Sequence, residues 1–406
     1  MKKKVIAALN FISYWCLICI PFSVAISPAF TSAFISFLFT SYFAKKFINK
    51  ENLAVKTSIN AAYLTFFSIS LISIFWSIDY PSSIRGIFKL IEACLLYLIF
   101  VDEIKDKGHI KKVVFSLLGG LCLASINSIW QILSGYDFIR HHALINNIGL
   151  MRATGPFPNA NVLGVYLAPL IVIAFGLVRY SSQGIKKLIL TLILLIALTA
   201  LVFTFSRPAA LAVVISVAIL AVLKRDRLVI VVLLIILLVA PFIAPKNIKK
   251  WAQEVKYNPI IMLCNYDRIS IYRNTINMIK HHPITGVGLN TFSKNYLTYK
   301  LPEPANAKTG NTIYAHNNFL HMAGEIGILG LLAFLWLLWQ LLTACKNIYF
   351  RLDEADLKNL ALCLTAGLIA FLINGLTETN LYYQRVSIMF WYLVGFTLSL
   401  KKFTKR

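Results

Sequence analysis

Two arginines and one histidine are the residues of this chain best suited to chemistry. Arg207 follows one long apolar run, Arg268 lies in a polar stretch, and His316 precedes another apolar run. A guanidinium keeps its charge at neutral pH and can bind a phosphate through two parallel hydrogen bonds. An imidazole titrates near neutral pH and can take a proton from a hydroxyl. The three residues therefore indicate a site that combines phosphate binding with general-base catalysis.

Three further side chains could support such a site. Arg273 comes shortly after Arg268, and Asn317 follows His316, where its amide could orient the imidazole or a sugar. Arg152 opens a stretch rich in glycine, proline and asparagine. Two plainer interpretations stay open. Such a stretch can be ordinary turn chemistry, and a His-Asn-Asn run can be a helix start with hydrogen-bonding caps.

Neither a metal nor a nucleotide is expected to take part. His316 and His321 are five positions apart, whereas four positions place two imidazoles on one helical face. The outer segments contain no carboxylate pair with the spacing of metal ligands, and the chain has no Gly-Lys-Ser/Thr phosphate loop. We therefore predict no metal, no cofactor and no step driven by ATP.

The composition shows where this chemistry must take place. Of the 406 residues, 58% are hydrophobic and only 14% are charged, and the mean hydropathy is +0.73. Soluble proteins are about half apolar and about a quarter charged. These values exclude a soluble enzyme and a nucleic-acid-binding module, and they predict an all-α, polytopic integral membrane protein that forms a single membrane domain over residues 1–406.

Twelve apolar runs are long enough, or nearly so, to cross about 30 Å of hydrocarbon. They lie near residues 5–27, 29–43, 58–78, 85–101, 113–134, 161–178, 187–205, 208–223, 228–244, 324–345, 359–377 and 386–400.

The basic residues predict how these spans are threaded. With the N-terminus inside, 24 of the 40 lysines and arginines fall into seven cytoplasmic segments, as the positive-inside rule requires. This bias accounts for most of the net charge of +24 without a nucleic-acid partner. Residues 245–315 then form one long outer loop. The basic residues of the short outer loops are all arginines. Two explanations stay open. The first is chance together with anchoring at the membrane interface, and the second is that arginine suits bidentate binding of a phosphate.

The long loop is predicted to be partly helical. Residues 249–255 have the basic, tryptophan-containing pattern of an interfacial helix. Residues 267–280 place apolar side chains on one helical stripe, with Asp267 as the expected N-cap, and His281-His282-Pro283 would end that helix.

Four segments in this order resemble the O-antigen ligase and polymerase superfamily of bacterial envelopes. The most specific one is His316-Asn317, followed after nine residues by Gly327-Ile328-Leu329-Gly330. The others are an Arg-x-x-x-aromatic helix with Pro-x-x-Gly-x-Gly (Arg268 to Tyr272 and residues 283–288), Ser206-Arg207 at the end of a span, and Thr154-Gly155-Pro156-Phe157-Pro158-Asn159.

The resemblance implies a membrane-embedded, lipid-donor glycosyltransferase of the GT-C-like kind in the bacterial inner membrane, with its active site facing the periplasm. Twelve spans and a late periplasmic loop are typical of the ligase, which moves an O-antigen glycan from undecaprenyl diphosphate to lipid A-core. The reaction would need no metal and would invert the anomeric centre. By the same resemblance, Arg207 and Arg268 would bind the diphosphate and His316 would act as the base.

Two alternatives stay open at this point. An O-antigen polymerase uses the same donor but a second lipid-linked glycan as acceptor, and sequence motifs separate the two poorly. A transporter or flippase would show paired polar residues at mid-membrane, often in repeated halves. Lys89 and Glu92 are close enough for such a pair, although they could equally form a structural salt bridge one turn apart, and no repeated halves are visible.

Overall fold

The computed structural model describes residues 2–147, 150–181, 183–243, 246–302 and 309–405. Helices make up most of these residues, as the composition predicts. Their bounds are Lys2–Val24 (α1), Pro28–Asn49 (α2), Asn60–Ile72 (α3), Tyr80–Glu103 (α4), Lys107–Ser134 (α5), Ala160–Tyr180 (α6), Gly184–Thr204 (α7), Arg207–Leu223 (α8), Arg227–Ile243 (α9), Lys246–Glu254 (α10), Pro259–His281 (α11), Phe292–Asn295 (α12), Asn318–Arg351 (α13), Ala355–Asn374 (α14) and Gln384–Ser399 (α15).

The prediction of an all-α membrane protein is confirmed. All twelve predicted apolar segments fall on helices, α1 to α9 and α13 to α15. Seven helices of the described chain are long and apolar enough to cross a membrane, namely α1, α5, α6, α7, α13, α14 and α15 with its short extension to Phe403. Three more are apolar but shorter, in α3, α8 and α9. Twelve crossings therefore stay a prediction.

The helices pack around α6, which is buried along almost its whole length. It contacts α7, α8 and α14, while α15 is buried against α4. Helix α9 differs from the rest, because its side chains are exposed along nearly the whole helix and its contacts are with α8. The unpredicted sheet is small. Strands β1 (Ile145–Asn147) and β2 (Leu150–Arg152) form an antiparallel hairpin just before α6.

The long loop is partly helical, as predicted, because it contains α10, α11 and α12. Helix α11 is two segments joined at Asn265, whose φ of 57° and ψ of 170° are not helical. The prediction that Asp267 caps the second segment is wrong. The side-chain oxygen of Asn265 accepts a hydrogen bond from the Arg268 amide at 3.0 Å, so the cap comes two residues earlier.

Helix α13 is also broken, at Gly327 of the Gly-x-x-Gly motif. Its φ of 70° and ψ of −179° belong to a region that essentially only glycine adopts. A Cβ there would lie 2.0 Å from the Ile284 carbonyl oxygen. The break exposes backbone groups that pair with residues 283–288, for example Ile328 N to Pro283 O at 2.8 Å and Gly288 N to Glu325 O at 2.8 Å. The two glycine-containing motifs therefore form one structural unit, which fixes the start of α13.

We expect residue 297 to be accessible from outside intact cells and residues 52 and 355 to be protected. Leu297 lies in the long loop and is 55% exposed, whereas Asn52 and Ala355 are exposed in segments assigned to the cytoplasm. An impermeant maleimide should then label Leu297→Cys alone, on a cysteine-free background. Labelling of Asn52→Cys or Ala355→Cys in intact cells would contradict the predicted threading.

Candidate active site

A buried carboxylate joins two of the predicted site residues. Glu378 lies between α14 and α15, and its side chain is 2% exposed. Arg268 Nη2 donates a hydrogen bond to Glu378 Oε1. The other carboxylate oxygen, Oε2, lies 3.1 Å from His316 Nδ1. Arg268 and His316 are therefore parts of one group, which we call the Arg-Glu-His group.

The charges within this group determine its protonation. Burial alone would raise the pKa of Glu378, but the charge of Arg268 and the hydrogen bond from His316 lower the pKa below its ordinary value. The carboxylate is therefore ionised at neutral pH and can only accept hydrogen bonds. The hydrogen atom between the two groups then belongs to His316 Nδ1, and in the neutral imidazole the acceptor nitrogen is Nε2. A carboxylate orients the histidine of hydrolytic triads in the same way.

The backbone on both sides of His316 is held in place. His316 itself has a φ of 50°, which is uncommon for a residue other than glycine. Its carbonyl oxygen accepts a hydrogen bond from the Tyr272 hydroxyl at 2.9 Å. The preceding amide, of Ala315, donates to Nδ1 of the buried His321 at 3.1 Å. These contacts hold the backbone of His316 in an uncommon conformation, and Glu378 orients its imidazole.

His321 has a structural environment rather than a metal-binding one. It is 1% exposed, and its Nε2 lies 3.4 Å from Glu325 Oε1. Glu325 also accepts hydrogen bonds from the backbone amides of Asn290 and Phe292, at 2.7 and 2.9 Å. Within the described residues, no three metal-ligand side chains come together.

Asn317 caps a helix. Its side-chain oxygen accepts hydrogen bonds from Phe319 N at 2.9 Å and Leu320 N at 3.0 Å, while its Nδ2 donates to Leu376 O at 2.8 Å. Asn318 bonds in turn to Asn380 and to the Gly375 carbonyl. The plainer interpretation of the His-Asn-Asn run thus holds for the two asparagines. They fasten the segment that carries Glu378 to the start of α13.

Two more arginines lie near the Arg-Glu-His group. The guanidinium of Arg152 donates to Thr204 O at 2.7 Å and to Asn161 Oδ1 at 2.6 Å. Arg207, the first residue of α8, is exposed and donates to the Met262 carbonyl. Arg152 lies close enough to interact with the charges of Glu378 and Arg268, and Arg207 with those of Arg268 and Arg152. Three guanidiniums and one carboxylate leave this end of the bundle positively charged.

Arg273 is not brought into this cluster. It is exposed on α11 and forms no hydrogen bond or salt bridge with the described residues. Arg268 and Arg273 are five positions apart and therefore lie on different faces of the helix. Of the predicted residues, the structure gathers Arg152, Arg207, Arg268 and His316, and it places Asn317 in the supporting framework.

The Gly/Pro/Asn-rich motif holds Arg152 in place. Gln131 Oε1 accepts hydrogen bonds from the Thr154 and Gly155 amides at 2.9 and 2.8 Å. The buried Arg385 donates to Pro156 O at 2.8 Å and lies 4.4 Å from the centroid of the Phe157 ring. The motif is thus a turn, as the plainer interpretation predicted, and its hydrogen bonds fix the backbone that follows Arg152.

An apolar groove of about 770 Å³ runs between α6, α7, α8 and α9. Arg152, Ser206 and Arg207 lie at the end where α8 begins, and Arg179 lies at the opposite end. Between them the lining is almost entirely aliphatic and aromatic. The exposed helix α9 forms one wall. The groove can accommodate a long hydrocarbon chain whose anionic head reaches Arg152 and Arg207.

A cluster of tyrosines adjoins the same end of the bundle. The Tyr314 and Tyr383 rings are 4.9 Å apart between centroids, and the Tyr382 ring is 4.0 Å from that of His321. All three tyrosines are half-buried, and Tyr383 lies close to the charges of Glu378 and Arg268. Aromatic side chains with polar tips commonly line small-molecule sites. A polar, ring-shaped substrate could therefore bind here next to His316.

Two comparisons with known proteins bear on this chain. Residues 192–335, which include Arg207, Arg268 and His316, match the family model described as O-antigen ligase. Over 282 residues the chain is 25% identical to an O-antigen polymerase of Salmonella muenchen. That match covers 66% of this chain and 63% of the relative, so it spans less than two thirds of the relative's length.

The fold and the site define a multi-pass membrane protein with cations and a histidine gathered at one end of its helix bundle. The two comparisons support the O-antigen ligase and polymerase superfamily for this chain, and they confirm the resemblance seen in its motifs.

Proposed function

We propose that this protein is an O-antigen ligase of the bacterial inner membrane. It transfers a glycan from undecaprenyl diphosphate to lipid A-core, with inversion at the anomeric carbon and with the site facing the periplasm. One observation carries the proposal. The Arg-Glu-His group lies beside Arg152 and Arg207, at the head of a groove suited to a prenyl chain.

The chemistry follows from the positions of these groups. The prenyl chain lies in the groove, and its diphosphate meets Arg207 and Arg152, with the charge of Arg268 nearby. His316 Nε2 takes the proton of the acceptor hydroxyl, whose oxygen forms a bond to the anomeric carbon. The bond from that carbon to the diphosphate breaks, and its electron pair leaves on the phosphate oxygen. Fixed guanidiniums stabilise this developing charge without rearranging.

An O-antigen polymerase is the second candidate. The observation in its favour is the 25% identity to a protein of that name. Both reactions would use the same donor, the same cations and the same base, and they differ in the acceptor alone.

The lipopolysaccharide of a deletion strain distinguishes the two. Loss of a ligase leaves bare core, with long glycans retained on the lipid carrier. Loss of a polymerase leaves core that carries a single repeat. Unchanged lipopolysaccharide with full-length chains would contradict both proposals.

Purified protein is expected to transfer glycan at an undiminished rate in the presence of EDTA. The reason is that the guanidiniums supply the positive charge that a metal would otherwise bring to the diphosphate. The measurement is the initial rate with and without chelator. Loss of activity in EDTA, followed by recovery on addition of Mg²⁺ or Mn²⁺, would contradict the metal-independent mechanism.

A further inference from the structure

A second pair of cations lies on α4, away from the groove. Arg85 and Lys89 are four residues apart, hence on the same helical face, and both are exposed. Ile84 and Phe88, which are exposed beside them, are 47% and 65% accessible. A lysine among lipid-facing apolar side chains is costly, so such residues usually serve a function.

The salt bridge between Lys89 and Glu92 that their spacing allows does not form. Lys89 makes no hydrogen bond and no ion pair with any of the described residues, although Glu92 and Glu325 are near enough to act on it through space. Arg85 Nη2 donates to Ser82 Oγ at 2.7 Å, which leaves most of its guanidinium donors available. Both cations can therefore bind an external anion.

A small, mostly apolar cavity of about 30 Å³ lies beside Lys89. Its walls include Glu92, Tyr382 and Gln384. This volume holds a water molecule rather than a sugar. A larger ligand would therefore lie at the surface, where Lys89 and Gln384 are exposed.

This face is connected to the proposed active site by one segment, residues 377–383. Glu378 of that segment contacts Arg268 and His316. Tyr382, four residues later, lines the cavity beside Lys89. Within the described chain, the lining of the apolar groove comes from α6 to α9 with Arg152, and none of it comes from α4 or α15. The α4 face thus offers a second approach to the same centre.

We propose that Arg85 and Lys89 bind a phosphate group of the acceptor lipid. Resting on the proposed glycosyl transfer, this inference adds that the two lipid substrates reach His316 from different faces, the donor along α6 to α9 and the acceptor along α4. Two cations one turn apart suit a phosphate dianion.

The test uses the full chain in phosphatidylcholine vesicles, with purified lipid A-core as the acceptor probe. Arg85→Ala, Lys89→Ala and the double variant are compared with Lys186→Ala, which removes an exposed lysine from α7. The initial rate is measured against acceptor concentration, and acceptor binding is measured without donor. We expect the KM and Kd for the acceptor to rise roughly tenfold to a hundredfold, because charge-assisted hydrogen bonds are lost. The KM for the donor and the rate at saturating acceptor should not change.

Phosphatase-treated acceptor gives the decisive comparison. The wild type should bind the treated acceptor as weakly as the double variant binds the intact acceptor. The affinity of the double variant for the acceptor should not fall further when the acceptor is treated. The Lys89→Arg variant should keep most of the affinity of the wild type for the acceptor. It would also show that the fold tolerates a substitution at position 89. Unchanged acceptor constants, or equal losses with treated and untreated acceptor, would overturn the proposal.

Two more outcomes concern the source of the phosphate and the proposed transfer reaction. A loss that appears only in vesicles containing phosphatidylglycerol would mean that the cations bind bulk phospholipid, and it would overturn the acceptor assignment. A wild-type protein that binds the acceptor but transfers no glycan would contradict the proposed function, while the binding measurements would still decide the role of Arg85 and Lys89.

Discussion

Glu378→Gln is expected to slow glycan transfer about as severely as His316→Ala, by roughly 10²- to 10⁴-fold, the usual contribution of a positioned general base. The amide keeps the size of the side chain but loses the charge that fixes the His316 tautomer and balances Arg268. If both residues act as one unit, the double variant should be no slower than either single variant. The measurement is the initial rate at saturating donor and acceptor.

The control is Glu354→Gln, because Glu354 is an exposed carboxylate paired with Lys107. Surface pairs contribute little, so this variant should retain the wild-type rate. If the rate of the His316→Ala/Glu378→Gln double variant fell by the product of the two single-variant factors, the two residues would act independently. A Glu378→Gln protein that is folded and fully active would remove Glu378 from the mechanism.

The pH dependence follows from the lowered pKa of Glu378. A carboxyl whose pKa is lowered in the folded state stabilises that state above its unfolded pKa, about 4.3 for glutamate. This contribution is lost as the pH falls through the lowered pKa. The Arg268–Glu378 pair should therefore stay intact throughout the neutral range, and a fall of the rate between pH 7 and pH 6 cannot come from protonation of Glu378.

The helices could be placed from the sequence because a bilayer leaves few alternatives. Backbone groups in hydrocarbon must bond within the helix, so every long apolar run becomes one. All twelve predicted segments accordingly lie on helices. Arg207 and His316 could be found for a related reason, because polar groups at the edge of an apolar segment are costly and stand out against their surroundings. Arg268 lies inside the long loop, and its place in the Arg-x-x-x-aromatic motif indicated it.

Glu378 could not be predicted in the same way, because its partners are distant in the sequence. It is 110 positions from Arg268 and 62 from His316, and no local pattern links them. One signal was available. Glu378 is the sole acidic residue between α14 and α15, within a polar run that includes Asn374 and Asn380. A lone carboxylate at the end of a predicted span indicates a functional site as well as a lone arginine does at such a position.

Lys89 and Asn317 show the opposite limitation, since a residue type suited to one role can serve another. Asn317 could orient a sugar, but both ends of its amide are used within the helix start and the neighbouring segment. Lys89 could pair with Glu92 by spacing, yet the two side chains, both among the described residues, form no ion pair. Spacing on one helix fixes which groups are near each other, whereas the surrounding helices decide which of them bond.

Arg207→Ala and Arg268→Ala are each expected to lower kcat/KM for the donor by about 10²- to 10³-fold, the usual cost of removing one preorganised donor to a developing charge. Lysine at either position should recover only part of the loss, because it keeps the charge but not the planar pair of donors. Arg351→Ala, which removes an exposed arginine at the far end of α13, is the matched control. An alanine variant of Arg207 or Arg268 that is expressed normally and transfers glycan at the wild-type rate would exclude that arginine.

The Arg268→Ala and Arg207→Ala proteins should differ in their stability toward unfolding, and this difference distinguishes the roles of the two arginines. Arg268 pairs with a buried carboxylate, so Arg268→Ala leaves the Glu378 charge uncompensated, at a cost of about 3–5 kcal/mol. Arg207 is exposed and donates to a backbone carbonyl, so its loss should lower the thermal stability in detergent far less than the loss of Arg268. Combining Arg268→Ala with Glu378→Gln should restore much of the stability but none of the transfer, because the cation and the carboxylate are both gone. If the double variant regained activity together with stability, Arg268 would be a structural partner of Glu378, and binding of the diphosphate would fall to Arg207 and Arg152.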